Sequence, residues 1–497
     1  MVPFRVGIAA AHIQAGVRDI ERVEVEFCAH GFGLQLGSVR RSMVEIHSTP
    51  KVCQLTFEKQ DADRVHALPS SAPGTKPQRQ DGELSSISGN PILDAASEPF
   101  SPDLHSPSYQ EDPAPVLARL REEDPVHRSQ HGYWFLTRYE DVKNALKDAR
   151  FTSDWAKRRS GGPIRSDFDE TETDRANRSL ILSSFNMRDG DEHQRVRGLV
   201  NQAFSKATLE GSRSRIEALA HDLLPVGGEF DLVKDFGFPL PIQISCEMLG
   251  IPKESRDEFR RSFEDAAVLG LPRHSESQHR EGLRALGWQV EYMRGLLEDR
   301  RNTPKDDLLS ALVQAEEAGS QLTSEETIAA IVTIFTAAGT TTERFVSSGL
   351  LLLLRDRDAF ARLREDRSLM PSAIEEILRF HHPDQSTSTP RWVNEDVELG
   401  GKTLARGDTV RFGLGAANRD PQQFKIPESF DITRTPNRHL AFGKGAHFCL
   451  GATLARLVGE VAFTAVLDRY AELKLVTENP RRDPRRMDRY QEIVVRT

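Results

Sequence analysis

The chain has 497 residues, a formal net charge of −9, 38% hydrophobic residues and 28% charged residues, values typical of a folded globular protein with a large core. The acidic excess argues against a nucleic-acid-binding function, because no basic surplus is available to neutralise phosphates. The cysteines, Cys28, Cys53, Cys246 and Cys449, are too scattered for a disulfide framework, which favours a reducing compartment.

The first 92 residues show weak periodic patterning, with one strand-like alternation at residues 22–27. The chain does not begin with a basic stretch followed by an apolar core, so we predict no secretory signal. Residues 70–91 are rich in Pro, Gly and Ser, which indicates a linker. We therefore predict a poorly patterned N-terminal extension with its linker over residues 1–92 and one functional domain over residues 93–497.

From about residue 99, helical patterns alternate with short strands. A short aromatic strand followed by an amphipathic helix is predicted by YWFLTRYEDVKNALKD, and two more helices by DEHQRVRGLVNQAF and SRSRIEALAHDLL. The stretch VELGGKTLARGDTVRFG alternates between turn signals and predicts short strands. The sequence therefore predicts a mainly α fold with a minor β part.

The longest predicted helix begins at a capping box formed by Thr323 and Glu326 and continues to Leu354, about 30 residues, which is long for a globular domain. Its apolar part contains Glu343 and Arg344, which a membrane span would not normally carry. We therefore predict a helix inside a large cytoplasmic protein that makes no membrane contact.

The middle of this helix reads TAAGTTTERF. Gly339 costs roughly 1 kcal/mol relative to alanine in a helix, and the threonines Thr340, Thr341 and Thr342 add hydroxyls that compete with the helix ladder. One interpretation is a helix kink packed against a neighbour. The other is a loosened turn beside a pocket, where glycine admits a ligand and a threonine hydroxyl holds water.

Other polar pairs are unspecific when taken singly. Glu376 and Arg379 lie three residues apart on one helix face, and His193 and Arg197 lie four apart on another. Arg391 stands between the polar run DQSTSTP and a strand pattern. Each of these signals, alone, is consistent with a solvated surface.

Cys449 lies in the stretch HLAFGKGAHFCLG, just before a predicted helix. A lone cysteine is usually a small buried hydrophobe. His447 and Cys449 could also form half of a zinc site, but no second ligand pair lies nearby at usable spacing. The stretch by itself therefore leaves these alternatives beside a functional one.

Taken together and in this order, the motifs resemble the cytochrome P450 family of haem-thiolate monooxygenases, over about residues 99–497. FGKGAHFCLG matches the family's haem-binding signature Phe-Gly-x-Gly-x-His-x-Cys-x-Gly. The resemblance implies that Cys449 is the proximal ligand of the haem iron. It also implies the cytochrome P450 fold, mainly α with minor β, in which haem b lies between the long central helix and the cysteine-ligand loop.

The resemblance also implies the other contacts of the cofactor. Two helical residues, one strand residue and one loop residue contact the haem propionates, whose charges need cations or donors, and residues of the ligand loop approach the macrocycle. These residues are His193, Arg197, Arg391, His447, Phe442, Gly443 and Gly451.

In the long helix, Ala338, Gly339 and Thr342 match the family pattern, which implies that Thr342 holds dioxygen and helps to deliver protons. The position before this threonine is usually acidic, but this chain has Thr341, and Glu343 is rotated by about 100° around the helix. The proton relay therefore uses threonines and water alone, or an acid from elsewhere. Glu376 and Arg379 match a structural pair of the family, with Arg434 as the expected third partner.

The implied reaction inserts one oxygen atom of dioxygen into a C–H or C=C bond of a small organic substrate, such as a polyketide or macrolide, a terpenoid or a steroid. Electrons are expected from NAD(P)H through a separate ferredoxin and ferredoxin reductase, and the protein is expected to be a monomer. The alternative is a peroxide-driven haem-thiolate enzyme or a haem-binding protein that does not oxygenate. Only the non-acidic Thr341 favours this alternative.

Overall fold

A computed structural model describes residues 100–157, 168–204, 206–270, 274–317, 322–380, 390–483 and 486–497, together with four short strands in the first 56 residues. The chain divides into two compact units, Met1–Ala95 and Ala96–Thr497. The predicted linker at residues 70–91 lies outside the described residues, and the domain boundary after residue 92 stays a prediction.

In the first unit, two antiparallel strand pairs are described. β1 (Phe27–Ala29) pairs with β2 (Phe32–Leu34), and β3 (Glu45–Thr49) pairs with β4 (Val52–Thr56). The strand predicted at residues 22–27 lies outside the described residues except for its last residue, which begins β1.

The second unit is mostly helical. Its helices are α1 (Pro107–Glu111), α2 (Ala114–Glu123), α3 (Tyr139–Ala145), α4 (Glu172–Leu182), α5 (Gly190–Ala203), α6 (Lys206–Leu223), α7 (Pro239–Met248), α8 (Arg256–Ala266), α9 (Glu276–Asn302), α10 (Leu308–Glu317), α11 (Ser324–Arg355), α12 (Arg357–Glu365), α13 (Met370–Phe380), α14 (Leu414–Ala417) and α15 (Ala452–Arg469). The prediction of a mainly α fold with minor β is confirmed.

The strands of the second unit form small sheets. They are β5 (Val126–Arg128), β6 (Tyr133–Leu136), β7 (Phe151–Thr152), β8 (Glu229–Asp231), β9 (Arg391–Val393), β10 (Val397–Leu399), β11 (Lys402–Leu404), β12 (Thr409–Phe412), β13 (Lys474–Leu475), β14 (Arg482–Asp483), β15 (Arg486–Tyr490) and β16 (Val494–Arg496). The largest sheet has the order β5-β6-β12-β9-β7, in which only β12 and β6 pair in parallel.

The prediction for the long helix is confirmed closely. α11 has 32 residues, and Thr323 and Glu326 form the predicted capping box at its start. Each of the two side chains accepts a hydrogen bond from the backbone N–H of the other residue, which satisfies two of the free donors of the first turn. Among the described helices, none is long and apolar enough to cross a membrane.

Two separate hydrophobic clusters bury the ends of α11. The N-terminal half, from Ile328 to Phe335, packs with α7, α8, α9 and α10. The C-terminal half, from Phe345 onward, packs with α6, α13 and α15. α11 approaches α15 so closely that a Cβ on Gly459 would lie 2.5 Å from the Phe345 ring. α11 is therefore fixed at both ends, and its middle belongs to neither cluster.

Candidate functional site

The middle of α11 is open to solvent or to a cavity, although the turns on either side are buried. Thr336 and Ala337 are exposed, and Ala338, Thr340 and Thr341 are partly exposed. Gly339 is buried, and a Cβ at this position would meet nothing nearer than the Ile242 side chain, at 3.8 Å. This pattern fits a loosened turn beside a pocket better than a kink packed against a neighbouring helix.

The three consecutive threonines differ in what their hydroxyls do. Thr340 and Thr341 donate back to the carbonyls of Thr336 and Ala337, at 3.3 and 2.6 Å. Among the described residues, the Thr342 hydroxyl has no such partner, and its side chain is only 9% exposed. Thr342 therefore has a hydroxyl free to bind a group that enters the pocket.

Glu343 does not take the place of the missing acid on this part of the helix. Its side chain is 1% exposed and lies on the side of α11 that is buried in the protein. Thr341, at the position that is usually acidic, lies on the partly exposed side. The rotation between these neighbours, about 100°, separates their surroundings completely.

The loop before α15 presents Cys449 on a turn that needs glycine. Gly443 and Gly445 have φ values of +68° and +78°, which favour glycine because a Cβ would be strained. A Cβ on Gly445 would also lie 2.7 Å from the Leu146 carbonyl oxygen. The Cys449 N–H donates to the Phe442 carbonyl at 2.9 Å, which closes the loop and leaves the thiol beside the start of α15.

The Cys449 thiol lies in a concave part of the surface. The residue is exposed, yet it is surrounded by enough protein that desolvation raises the thiol pKa. The Gly451 N–H and the guanidinium groups of Arg197 and Arg456 act in the opposite direction, because they stabilise a thiolate. Cys246 differs, since it is fully buried in the core and burial raises its pKa to about 12.

His193 and Arg197 meet the cysteine loop from α5. The Arg197 Nη2 donates to the Phe448 carbonyl at 2.6 Å, one residue before Cys449. His193 is 2% exposed, and desolvation, followed by the charges of His447 and Arg197, lowers its pKa to about 4. Within the described part of the chain, its buried Nε2 has no hydrogen-bond partner, which is costly unless a further group satisfies it.

His447 and Arg391 lie around the same place. The His447 ring is 4.2 Å from the His193 ring, and its Nε2 is 2.7 Å from Asp189 Oδ1. Arg391 begins β9, and burial lowers its pKa to about 10, so it remains a cation at neutral pH. α5, β9 and the cysteine loop thus bring three cationic or donor groups together with the thiol.

Asp189 is the residue of this site that sequence reasoning missed. It also accepts hydrogen bonds from the Ser153 N–H, at 2.8 Å, and from the Thr152 hydroxyl. Burial would raise the pKa of Asp189, but the hydrogen bonds from His447 and Thr152 outweigh it and hold the pKa well below its usual range. Its place before α5 was the available signal, because Asp is a favoured N-cap residue.

The remaining predicted residues lie on the same loop and on α11. The Phe442 ring lies under the Arg456 guanidinium, 4.5 Å from it. Gly451 is the N-cap of α15, and a Cβ there would meet nothing within 4 Å. Ala338 is on the partly exposed side of α11, and α11 packs directly on α15, the helix that follows the cysteine.

These observations fit a haem held by a thiolate. A thiol on a glycine turn suits an iron ligand, the space at Gly451 suits a flat group, and the unsatisfied His193 nitrogen with two arginines suits carboxylates. A zinc site at His447 and Cys449 is not supported. Among the described residues, no group of three or more His, Cys, Asp or Glu side chains could hold a metal ion.

Comparison with known proteins gives the family. The sequence pattern described as Cytochrome P450 matches residues 273–495. The chain is 37% identical to the polyketide biosynthesis cytochrome P450 PksS of Bacillus subtilis (strain 168), over 75% of this chain and 91% of the relative. This chain belongs to the cytochrome P450 family.

Further relatives and a solved structure agree. 6-Deoxyerythronolide B hydroxylase of Saccharopolyspora erythraea is 36% identical, over 75% of this chain and 92% of the relative. Vitamin D(3) 25-hydroxylase of Pseudonocardia autotrophica is 37% identical, over 75% and 90%. The structure of PksS from Bacillus subtilis 168 superposes with a TM-score of 0.71 at 34% identity, covering 79% of this chain and 98% of PksS.

Membership of this P450 family decides the reaction class and the cofactor. The protein is a haem-thiolate monooxygenase with haem b, and its electrons come from NAD(P)H through redox partners. The relatives are named monooxygenases and hydroxylases, so the alternative of a peroxide-driven or non-oxygenating protein is not favoured. The residues that hold the haem in this P450, and its substrate, are proposals.

Proposed function

We propose that this P450 hydroxylates or epoxidises a secondary metabolite of the polyketide or macrolide class, with a terpenoid or steroid as the second choice. The proposal is supported by the names of the relatives, which refer to polyketide biosynthesis, to 6-deoxyerythronolide B and to vitamin D(3). Fold alone would not license a substrate, so a binding experiment has to decide between these classes.

Binding is read from the haem spectrum, because a substrate that displaces water from iron changes its spin state. We expect 6-deoxyerythronolide B or another macrolactone to shift the spectrum of the holoprotein at lower concentration than vitamin D(3) or testosterone. Vitamin D(3) or testosterone binding more tightly than every macrolactone tested would transfer the proposal to the steroid class.

In our assignment of roles, Cys449 ligates iron, and His193, Arg197, Arg391 and His447 hold the propionates. The observation that carries this assignment is the convergence of α5, β9 and the glycine turn on one thiol. When bound, the haem supplies iron that activates dioxygen, and a thiolate ligand favours O–O cleavage.

The residues of the chain do the rest of the chemistry. Arg197 and Arg391 remain cationic and can pair with carboxylates, while the neutral His193 offers one ring nitrogen. Phe442, Gly443 and Gly451 leave room for the macrocycle on the side of the cysteine. Ala338 and Gly339 keep the opposite wall free of bulky side chains, so that a substrate can come close to the reacting atoms.

We also propose that a ferredoxin and its reductase deliver the electrons, that the protein works in the cytoplasm, and that it is a monomer. The support for a cytoplasmic location is the sparse, scattered use of cysteine. The experiment is reconstitution: NADPH consumption should start when a bacterial ferredoxin and ferredoxin reductase are both added, and a flavodoxin that works better than any ferredoxin would contradict the choice of partner.

Thr342→Ala is expected to uncouple the reaction while leaving haem content and substrate binding intact. The hydroxyl of Thr342 is the one that the helix does not use, and its loss removes a proton donor at the pocket wall. Electrons should then appear as hydrogen peroxide, and product per NADPH should fall well below that of the parent protein.

The matched controls for this prediction are Thr340→Ala and Thr341→Ala, whose hydroxyls are bonded to helix carbonyls. Both should stay coupled. Uncoupling by Thr341→Ala with normal coupling in Thr342→Ala would move the role one residue along the helix. Normal coupling in all three variants would place the relay elsewhere.

Deleting residues 1–92 is expected to leave haem content and turnover unchanged. The reason is that every residue to which we assign a role lies in the unit Ala96–Thr497, and the predicted linker is rich in Pro, Gly and Ser. The measurement is the haem-to-protein ratio of the purified truncated protein. A large loss of haem would show that the N-terminal unit contributes to the fold of the haem domain.

A further inference from the structure

The monooxygenase reaction consumes protons that have to reach a largely buried turn of α11. In each cycle RH, O2, two electrons and two protons give ROH and H2O, with the electrons coming from NAD(P)H through the redox partners. Thr341 cannot donate these protons as a carboxylic acid would, and Glu343 lies on the buried side of the helix. A route from solvent is therefore required.

A small cavity of about 30 Å3 lies between α8 and α11, next to this turn. Arg260 and Glu264 line it from α8, and Thr336, Gly339 and Thr340 line it from α11. A cavity needs roughly 10–15 Å3 and two to four polar partners to hold a water molecule. This cavity meets both requirements.

The polar groups around the cavity can satisfy such a water molecule. The hydroxyls of Thr336 and Thr340 donate to the carbonyls of Val332 and Thr336, at 2.8 and 3.3 Å, so their oxygens remain able to accept. The Glu264 carboxylate is a further acceptor, and the Arg260 guanidinium is a donor.

Glu264 connects this cavity with bulk solvent. Its Oε1 is 2.9 Å from Arg260 Nη1, and the two side chains are 34% and 30% exposed, so the carboxylate touches both water outside and the cavity inside. Arg260 is also 4.0 Å from Asp257, which is 86% exposed. The ion pair holds the carboxylate at the cavity entrance.

Gly339 provides the connection from the cavity to Thr342. The two residues are three apart on α11 and so lie on one face. A Cβ on Gly339 would have only Ile242 within van der Waals range, at 3.8 Å, so its absence widens the gap between α7 and α11 at this point. Water in the cavity thus lies one helical turn from the unbonded hydroxyl.

We propose that Glu264, positioned by Arg260, passes protons from solvent through water in this cavity and past Gly339 to Thr342, in place of an acid at position 341. Glu264 acts through water and through Thr342, and does not touch the reacting atoms. The proposal rests on the dioxygen chemistry of the proposed function and deepens it by naming the proton source.

The test compares Glu264→Gln with the parent holoprotein, supplied with NADPH, a bacterial ferredoxin and its reductase, and with dioxygen as the only acceptor. We measure the NADPH oxidised per dioxygen consumed, which is one for hydrogen peroxide and two for water. Because Glu264 acts through water, we expect water formation to fall about ten-fold, less than the loss of a directly positioned acid or base, with peroxide taking up the electrons.

Two measurements separate proton supply from structural damage. The rate of haem reduction under carbon monoxide should stay at the parent value, because it needs no proton from this route. The solvent isotope effect on water formation should increase in Glu264→Gln, and Glu264→Asp should restore most of the parent's water formation. Thr340→Val, which keeps the shape but removes a partner of the cavity water, should show the same defect in milder form.

The matched control is Glu123→Gln on α2. Arg119 and Glu123 form the same kind of i,i+4 pair, at 2.8 Å, on a helix that does not line the cavity, and the NADPH-to-dioxygen ratio should not change. The same ratio and isotope effect in Glu264→Gln as in the parent would overturn the proposal. A parent protein that consumes no NADPH with redox partners would instead refute the proposed function.

Discussion

Replacing Cys449 by serine is expected to abolish the red-shifted absorption band that the reduced carbon monoxide complex of a thiolate-ligated haem shows. Serine is nearly isosteric, but its alcohol is a far weaker donor to iron than a thiolate. The loop should keep its shape, because the hydrogen bond from the Cys449 N–H to the Phe442 carbonyl does not involve the side chain. The band is measured on the dithionite-reduced protein under carbon monoxide.

The control is Cys246→Ala, the other cysteine in the described residues of the second unit. Its thiol is buried in the hydrophobic cluster around α7 and is protonated at neutral pH, with a pKa raised to about 12 by burial. This variant should retain the band, at some cost in stability. A Cys449→Ser protein with an unchanged band would disprove the iron-ligand role, whatever the family resemblance.

The features that could be predicted from the sequence are those fixed by short-range chemistry. The capping box at Thr323 is decided by four consecutive residues, and α11 begins where it predicts. The turn before Cys449 depends on glycines at two positions of positive φ, which the sequence displays directly. The placing of His193 and Arg197 on one face of α5 follows from helical periodicity alone.

The features that could not be predicted are contacts between distant segments. Asp189 pairs with His447 across 258 positions of sequence, and its own neighbours indicate only a helix start. Likewise, Asn437 donates to Glu376 at 3.1 Å from a loop without any local signal. A side chain's partner depends on which segments the fold brings together, so periodicity and capping give no information about it.

The threonine run shows the limit between these two classes. Its position in the middle of α11 follows from the sequence, and its registration by Gly339 singles out Thr342. Only the structure distinguishes the three hydroxyls, because back-bonding to the helix occupies Thr340 and Thr341 but not Thr342. The cavity that contains Glu264 depends on the packing of α8 against α11, which no local pattern encodes.

Glu376→Gln is expected to give little folded holoprotein, because Glu376 is the acceptor at the centre of a buried ionic cluster. Its carboxylate accepts two hydrogen bonds from Arg379, both at 2.8 Å, and the two side chains are completely buried. The predicted third partner, Arg434, donates its Nε to both carboxylate oxygens, at 3.1 and 3.0 Å. The backbone N–H of Asp431 donates a further bond, at 2.9 Å.

Removing the charge of Glu376 leaves the buried Arg379 guanidinium without its counter-charge, which costs roughly 3–5 kcal/mol. That is a large part of the 5–15 kcal/mol that typically stabilises a domain. Arg379 also donates to the carbonyls of Asn418, Pro427 and Ser429, at 3.0, 2.9 and 3.1 Å. The cluster therefore ties α13 to the chain that leads into the cysteine loop, so haem retention should fall together with stability.

The neighbouring residue offers a matched control for this prediction. Glu375 also forms a double hydrogen bond with an arginine, Arg456, but this pair is partly exposed, at 29% and 38%. Glu375→Gln should therefore cost only about 1 kcal/mol or less and keep its haem. The two variants differ by one position, one helix and one chemical change, so burial is the variable under test. Equal urea midpoints and equal haem content for Glu375→Gln and Glu376→Gln would contradict the structural role that we assign to the buried cluster.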